Sequence, residues 1–205
     1  FSGKFITSFD YCSDGINLSD NMIRLMIAVF ADGSFNYNLK PTANTYNKCR
    51  FHLKKQRKKE RLEKLLNELN IEFEKKQSMT EGYDDYYVIV PFRSKHFPTE
   101  WYNCTKNQFK IIADEVMFWD GYYKKNNRFC TSSKSDADFI QFVYSSLGYR
   151  ATIAEDNRLG NEYKTNNKIY IKKAIHYSVS YTKRNLIGMC ADYRPDHKKT
   201  QINEY

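Results

Sequence analysis

Two aspartates carry most of the chemistry this sequence can offer. Each closes an apolar run with helical spacing and is followed at once by glycine: "RLMIAVFADGSF" (24–35) reaches Asp32-Gly33, and "FKIIADEVMFWDGYY" (109–123) reaches Asp120-Gly121. The C-terminal end of a helix carries partial negative charge and favours Lys or Arg, so an acid there is out of place. The glycine has a simpler reading, because helices commonly stop at a glycine in the left-handed conformation. Two such helices packed side by side and parallel would bring Asp32 and Asp120 together at a two-fold pseudo-symmetric interface. Carboxylates that close cannot both stay ionised without a cation between them. A hard divalent ion, Mg²⁺ first and Mn²⁺ as the alternative, resolves the conflict, with Asp32, Asp120, Gly33 and Gly121 as the expected metal-site residues. Metal-bridged carboxylates beside a basic surface suit phosphodiester hydrolysis. Lys95 and Lys183 each follow one aspartate by 63 residues, at the end of a β-rich stretch. There a lysine can help deprotonate water or offset charge on the phosphorane.

Composition agrees with a polyanionic partner. The 205 residues include 33 Lys and Arg against 24 Asp and Glu, for a formal charge of +9 and a pI of about 9.2. Nucleic acid is the first partner such a balance implies, a membrane surface the second. With 41% hydrophobic residues, 17 Tyr and 14 Phe, the chain can bury a core and is not disordered. Five scattered cysteines never form Cys-x-x-Cys, which suits a reducing compartment and argues against a disulfide framework or a zinc site. No run approaches the ~18 apolar residues of a membrane span and no signal-peptide pattern opens the chain, so an intracellular location, in cytoplasm or nucleoid, is expected.

The elements that must position the acids repeat. "RFHLKKQR" (50–57) matches "RFCTSSKS" (128–135) at an offset of 78. Each leads into a helical pattern: Gln56 to about Leu69, with Leu62, Leu65, Leu66 and Leu69 inward, and Lys134 to about Leu147, with Phe139, Phe142, Val143 and Leu147 inward and Ser133 as N-cap. Both patterns stop at the same offset, at Asn70-Ile71 and Gly148-Tyr149, before extended runs. A ten-residue insertion, roughly "NLKPTANTYN", separates the first Asp-Gly from its strand. Alternation places Arg50, His52 and Lys54 on one side of a strand and Phe51 and Leu53 on the other; Lys168, Tyr170 and Lys172 alternate likewise with Ile169 and Ile171. "GYDDYYVIVPF" (82–92) is a further β-prone run.

This pattern resembles the LAGLIDADG homing endonucleases in their single-chain, two-repeat form. "LMIAVFADG" (25–33) and "ADEVMFWDG" (113–121) look like the two motif helices, and "KKERLEKLLNELNI" and "SSKSDADFIQFVYSSLGYRATI" look like the framework around them. The likeness runs from about Leu18 to Lys183, with the endonuclease domains carried inside inteins as the closest type. It implies an α+β fold of two pseudo-symmetric αββαββα repeats, 1–100 and 101–205 with a C-terminal tail, packed through the motif helices under a β-sheet saddle for DNA. Ile27 and Glu115 stand where the motif has glycine, and Trp119 stands where the first repeat has Ala31. These departures bear on how closely the helices approach. Splicing signals are missing from the chain: it has no nucleophilic first residue, no Thr-x-x-His block and no terminal His-Asn.

The resemblance implies a Mg²⁺-dependent, site-specific double-strand DNA endonuclease, a monomer acting on a long, imperfectly palindromic target. Asp32 and Asp120 would hold metal and Lys95 and Lys183 would assist. Arg50, His52, Lys54 and Arg128 would read DNA, with Lys168, Tyr170 and Lys172 as second-half equivalents. The alternative is a catalytically inactive descendant, a DNA-binding regulator or an RNA maturase. The run "KKQRKKERLEK" (54–64) reads as the solvated face of an amphipathic helix, with Glu60 and Lys64 as an i,i+4 pair. Asp84 and Asp85 read as a hairpin signal, with metal coordination as the sharper option.

Overall fold

The first motif helix begins at a side-chain cap. Ser19 Oγ accepts a hydrogen bond from Met22 N at 3.2 Å, opening α1 (Asp20–Asp32). The computed structural model describes residues 13–35, 46–121, 127–165 and 168–182, in two compact units that divide after Gly121. In the first unit α1 is followed by β1 (Gly33–Phe35), β2 (Lys48–Leu53), α2 (Gln56–Glu68), β3 (Phe73–Gln77), β4 (Asp84–Ile89), a 3-10 turn (Thr99–Asn103) and α3 (Lys106–Asp120). The apolar residues all around α1 have partners on several sides. The helix packs against α3, α2 and β2, and Ile23, Leu25, Ile27, Ala28 and Val29 are essentially inaccessible.

The antiparallel sheet of this unit has the order β1-β2-β4-β3. On β2 the alternation is as the sequence requires: Cys49, Phe51 and Leu53 are buried and Lys48, Arg50 and His52 exposed. Leu62, Leu65 and Leu66 of α2 join the buried set. The second motif helix starts at a reciprocal cap. Thr105 Oγ1 accepts from Gln108 N at 3.2 Å while Gln108 Oε1 accepts from Thr105 N at 3.0 Å. Gln108 also bonds both backbone polar groups of Ile16, at 3.1 and 2.9 Å, fastening the segment before α1 to the start of α3. Thr105→Ala opens this cap and is expected to lower stability by about 1 kcal/mol, read as a shift in urea midpoint at unchanged slope.

The second unit contains β5 (Arg128–Thr131), α4 (Lys134–Ser146), β6 (Arg150–Asp156), β7 (Glu162–Thr165), β8 (Lys168–Ile171) and β9 (His176–Thr182). Its sheet, β5-β9-β6, repeats the β2-β4-β3 order of the first. The helices correspond as well. α2 and α4 start at Gln56 and Lys134, and both stop before a left-handed residue, Asn70 (φ 52°) or Gly148 (φ 83°). At each stop the next amide reaches back to the same place, Ile71 N to Leu66 O at 2.9 Å and Tyr149 N to Tyr144 O at 3.0 Å. Ser133 caps α4 as expected, accepting from Asp136 N at 3.2 Å.

In one respect the topology differs from expectation. β5, carrying Arg128, occupies the place of β2, whereas Lys168, Tyr170 and the neighbouring Lys172 belong to β7-β8, a separate two-stranded ladder inserted between β6 and β9. The period of two does not distinguish an added hairpin from a repeat strand, and Ile169 and Ile171, the apolar members of the pattern, are exposed. Among the described residues no helix is long and apolar enough to cross a membrane.

Candidate functional site

α1 and α3 pack directly, and their C-terminal ends meet. The ammonium of Lys58, from the first turn of α2, lies 2.5 Å from Asp32 Oδ2 and 4.0 Å from Asp120 Oδ1. The carboxylates from the two motif helices therefore share one cation. Burial raises the pKa of Asp120 and the charge of Asp32 raises it further; Lys58, Lys95 and Lys55 act in the opposite direction. Lys95 Nζ donates to the carbonyl of Gly33 at 2.5 Å, so a second ammonium borders the helix end. Lys183 lies outside the described residues.

The two glycines serve a purpose other than the one their position suggests. Gly33 has φ −73° and ψ 152°, Gly121 φ −72° and ψ 146°: both are extended rather than left-handed. Space is what they provide. A Cβ on Gly33 would lie 2.7 Å from Val29 O and 2.8 Å from Cys49 Sγ. One on Gly121 would meet the Met117 carbonyl and lie 2.6 Å from Met117 Cε. The chain turns off each helix so tightly that no side chain fits beside the acid. Cys49, beneath Gly33, has its thiol pushed up to about 11 by burial, which leaves it a packing residue rather than a thiolate ligand.

Lys58 is the member of this site that sequence reasoning missed. It and Lys59 are buried, Arg61 is half-buried against Glu115, and the exposed Arg57 lies along the end of α3. Arg57 Nη1 donates to Phe118 O at 2.5 Å, and Lys59 pairs with Asp84 at 3.1 Å. The basic run is therefore divided: Lys54, Lys55, Arg57, Glu60 and Lys64 form the exposed face expected, while Lys58 and Lys59 are buried against the first motif helix and the sheet. Along it Glu60 accepts from Gln56 at 2.9 Å and Lys64 pairs with Glu68 at 3.7 Å. A signal was present in the sequence, since Lys58 precedes Leu62 by four residues and Leu65 by seven, on the apolar stripe itself.

The donor set suits a hard cation in part. Carboxylate and carbonyl oxygens are the ligands Mg²⁺ and Mn²⁺ prefer, and the ammonium between Asp32 and Asp120 marks where positive charge is favoured. Among the described residues no three His, Cys, Asp or Glu side chains converge as a complete cage. A metal held here needs oxygens from elsewhere, as Mg²⁺ sites completed by substrate phosphate do.

No protein-family model matches the chain. Among solved structures it is similar to the homing endonuclease I-DmoI in complex with DNA and Mn, with a TM-score of 0.54 over 89% of this chain and 100% of that one at 16% identity. The complex of I-DmoI with DNA and Ca gives a TM-score of 0.54 over 91% and 96% at 15% identity. The fold is the LAGLIDADG fold. Among curated proteins, the ribonucleoside-diphosphate reductase subunit beta of Aquifex aeolicus (strain VF5) is 24% identical over 197 residues, covering 80% of this chain. The chain spans only 28% of that relative's length.

In this LAGLIDADG fold the remaining sequence candidates fall in several places. Arg50 and His52 project from the exposed face of β2, and both are held by Asp85 of β4, with His52 Nδ1 2.7 Å from Asp85 Oδ1. Asp84, beside it, pairs with Lys59 and with Lys75 at 3.6 Å, so these acids are neither a turn nor part of the candidate metal site. Lys54 is exposed, its ammonium 5.5 Å from the Tyr83 ring centroid. Arg128 is half-buried at the start of β5. Lys172 donates to Asp156 O at 2.8 Å and pairs with its carboxylate at 2.6 Å, securing the base of the β7-β8 hairpin.

Proposed function

We propose that this chain is a site-specific double-strand DNA endonuclease, with Asp32 and Asp120 holding Mg²⁺ or Mn²⁺ and Lys95 and Lys183 assisting. The observation that carries this reading is the pair of carboxylates delivered by two packed helices to one shared cation. When bound, the metal supplies Lewis acidity at the scissile phosphate and makes water a better nucleophile. The side chains orient that chemistry. Asp32 and Asp120 fix the negative charge, Lys95 holds the Gly33 carbonyl and with it the end of α1, and Lys58 provides counter-charge for the pair. Gly33 and Gly121, proposed with the acids as metal-site residues, lack the Cβ atoms that would clash with the preceding helix turn, so the chain can leave each helix directly after its aspartate. Arg50, His52, Lys54, Arg128, Lys168, Tyr170 and Lys172 are the proposed DNA contacts, with Lys172 acting through the hairpin it secures.

Two repeats in one chain, 1–100 and 101–205, serve two half-sites, so the proposed protein is an intracellular monomer with a long, imperfectly palindromic target. Kinship with endonuclease domains carried inside inteins is part of this proposal and rests on the motif resemblance. The test is cleavage of a randomised duplex library in Mg²⁺, with Ca²⁺ as a control expected to allow binding without turnover. Cuts recovered at one long site establish the endonuclease. Binding without cutting in either ion favours the second reading, a nuclease-derived DNA binder. One observation supports that reading: Lys58 already neutralises the acids.

A further inference from the structure

The exposed face of the four-stranded sheet carries an acid in an unexpected place. Lys48, Lys54 and Lys76 share that face, each ammonium lying 5.1 to 5.5 Å from the ring centroid of Tyr87 or Tyr83, and exposed Glu74 pairs there with Lys76 at 2.8 Å. A carboxylate on such a surface repels phosphate, and a face made only for backbone contact would omit it. Asp85 nevertheless sits there, opposite His52 in the β2-β4 register. Arg50 Nε and Nη2 donate to its Oδ1 at 3.1 and 2.9 Å, and Nη2 also reaches Oδ2 at 3.0 Å. His52 Nδ1 lies 2.7 Å from Oδ1, and its ring stacks on Tyr83 with centroids 4.3 Å apart and planes 9° from parallel. Asp85 is itself nearly enclosed, at 11% side-chain exposure, while Arg50 and His52 keep 48% and 39%.

We propose that Asp85 is a specificity-determining positioning residue, clamping Arg50 to read guanine and holding His52 to read a neighbouring base edge. This inference rests on the DNA-binding reading above. Burial opposes charge on Asp85, and the hydrogen bonds from His52 and Arg50 outweigh it, holding the carboxyl below its usual range. An ionised carboxylate only accepts, so His52 Nδ1 is the donor to Asp85 and Nε2 is the ring nitrogen left to face DNA. In the major groove that nitrogen can hydrogen-bond a base edge. Arg50 has its Nε/Nη2 edge on Asp85, which leaves the Nη1/Nη2 end, a fork that fits guanine O6 and N7. Residues two apart on a strand are separated by about 7 Å, about two base-pair rises. The two readouts therefore fall within about two base pairs of each other. Asp85 weakens general attraction to DNA and in exchange fixes two flexible readers in advance.

The test is sequencing of duplexes selected from a randomised library by the full chain in Ca²⁺. The wild-type preference is expected to include a guanine and, within about two base pairs, a second preferred base on the read strand. Arg50→Ala erases the first preference alone and His52→Ala the second alone. Asp85→Asn, nearly the same shape but unable to accept from both partners as a charged group, weakens both together by about tenfold. A merely structural cross-strand pair would change melting temperature and leave the base profile as it was. An Asp85→Asn profile superimposable on the wild type overturns the proposal. So does retention of both preferences in Arg50→Ala and His52→Ala, which decides the matter even should Asp85→Asn fail to fold. A wild-type chain that binds no duplex DNA defeats the DNA-binding reading itself, whereas sequence-specific binding with an unchanged Asp85→Asn profile defeats only the clamp.

Discussion

Asp120→Asn is expected to reduce DNA strand cleavage in Mg²⁺ by at least about a thousandfold, because metal stabilisation of transition-state charge contributes several kcal/mol. Sequence-specific binding, carried by other side chains, persists. The same substitution should stabilise the metal-free chain at neutral pH. Burial, and then the neighbouring Asp32, raises the Asp120 pKa in the folded state above its unfolded value near 3.9. A raised carboxyl contributes stability that is fully present below the unfolded pKa and is lost as pH rises through the folded one. Asparagine cannot lose it. Melting temperatures in EDTA should therefore converge for the two proteins at acid pH and separate toward pH 7, with the variant higher. Addition of Mg²⁺ should raise the wild type more than the variant. Cleavage by Asp120→Asn at a rate near wild type would remove Asp120 from the chemistry, and loss of DNA binding together with cleavage would count against the assignment as a whole. A pair of acids that destabilises the empty protein and stabilises the loaded one is the trade expected of a functional site.

Much of this architecture was legible in the sequence because it is written twice. The 78-residue offset between Arg50-Phe51 and Arg128-Phe129 returns as two equivalent strands. It also returns as two helices of equal length that end on left-handed Asn70 and Gly148. Strand alternation correctly placed Arg50 and His52 on an exposed face because one side of that strand is buried and a period of two leaves no freedom. Asp32 and Asp120 drew notice because an acid at a helix C-terminus contradicts the dipole, and the fold brings both to Lys58. What could not be read depends on long-range contacts. Lys58 looked solvated because composition reports charge, and only packing shows that the stripe shared with Leu62 and Leu65 faces the carboxylates. Gly33 and Gly121 looked like left-handed caps because sequence distinguishes poorly between a glycine needed for its φ and one needed for its missing Cβ. Asp85 lies 33 residues from His52 and 35 from Arg50, and nothing local links them before the strands pair.

Glu115→Ala should be the most destabilising single change on the motif helices, at about 3–5 kcal/mol. Where the LAGLIDADG motif has a small residue, α3 places a glutamate that is 2% exposed. Its carboxylate is enclosed by donors. Arg61 Nε reaches Oε1 at 3.0 Å and Arg61 Nη2 bonds Oε2; Trp119 Nε1 donates to Oε1 at 2.9 Å, and Arg24 Nε lies 3.9 Å from Oε2. These groups come from α1, α2 and α3, so one anion joins the helices that carry Asp32, Lys58 and Asp120. Truncation leaves two guanidinium groups and a buried indole N–H without it, which is the costly way to break an ionic cluster. Glu115→Gln keeps the shape and an acceptor for Trp119, and should lose roughly 1.5–3 kcal/mol. Replacing Glu115 and Arg61 together by leucine removes both charges and should recover much of the loss, because a buried pair is often no more stabilising than apolar side chains of similar volume. Urea unfolding of the four proteins decides the matter through midpoints at constant slope. A Glu115→Ala protein within 1 kcal/mol of wild type would mean that water or side-chain rearrangement satisfies Arg61 and Trp119, and the cluster would then not be what aligns the two aspartates.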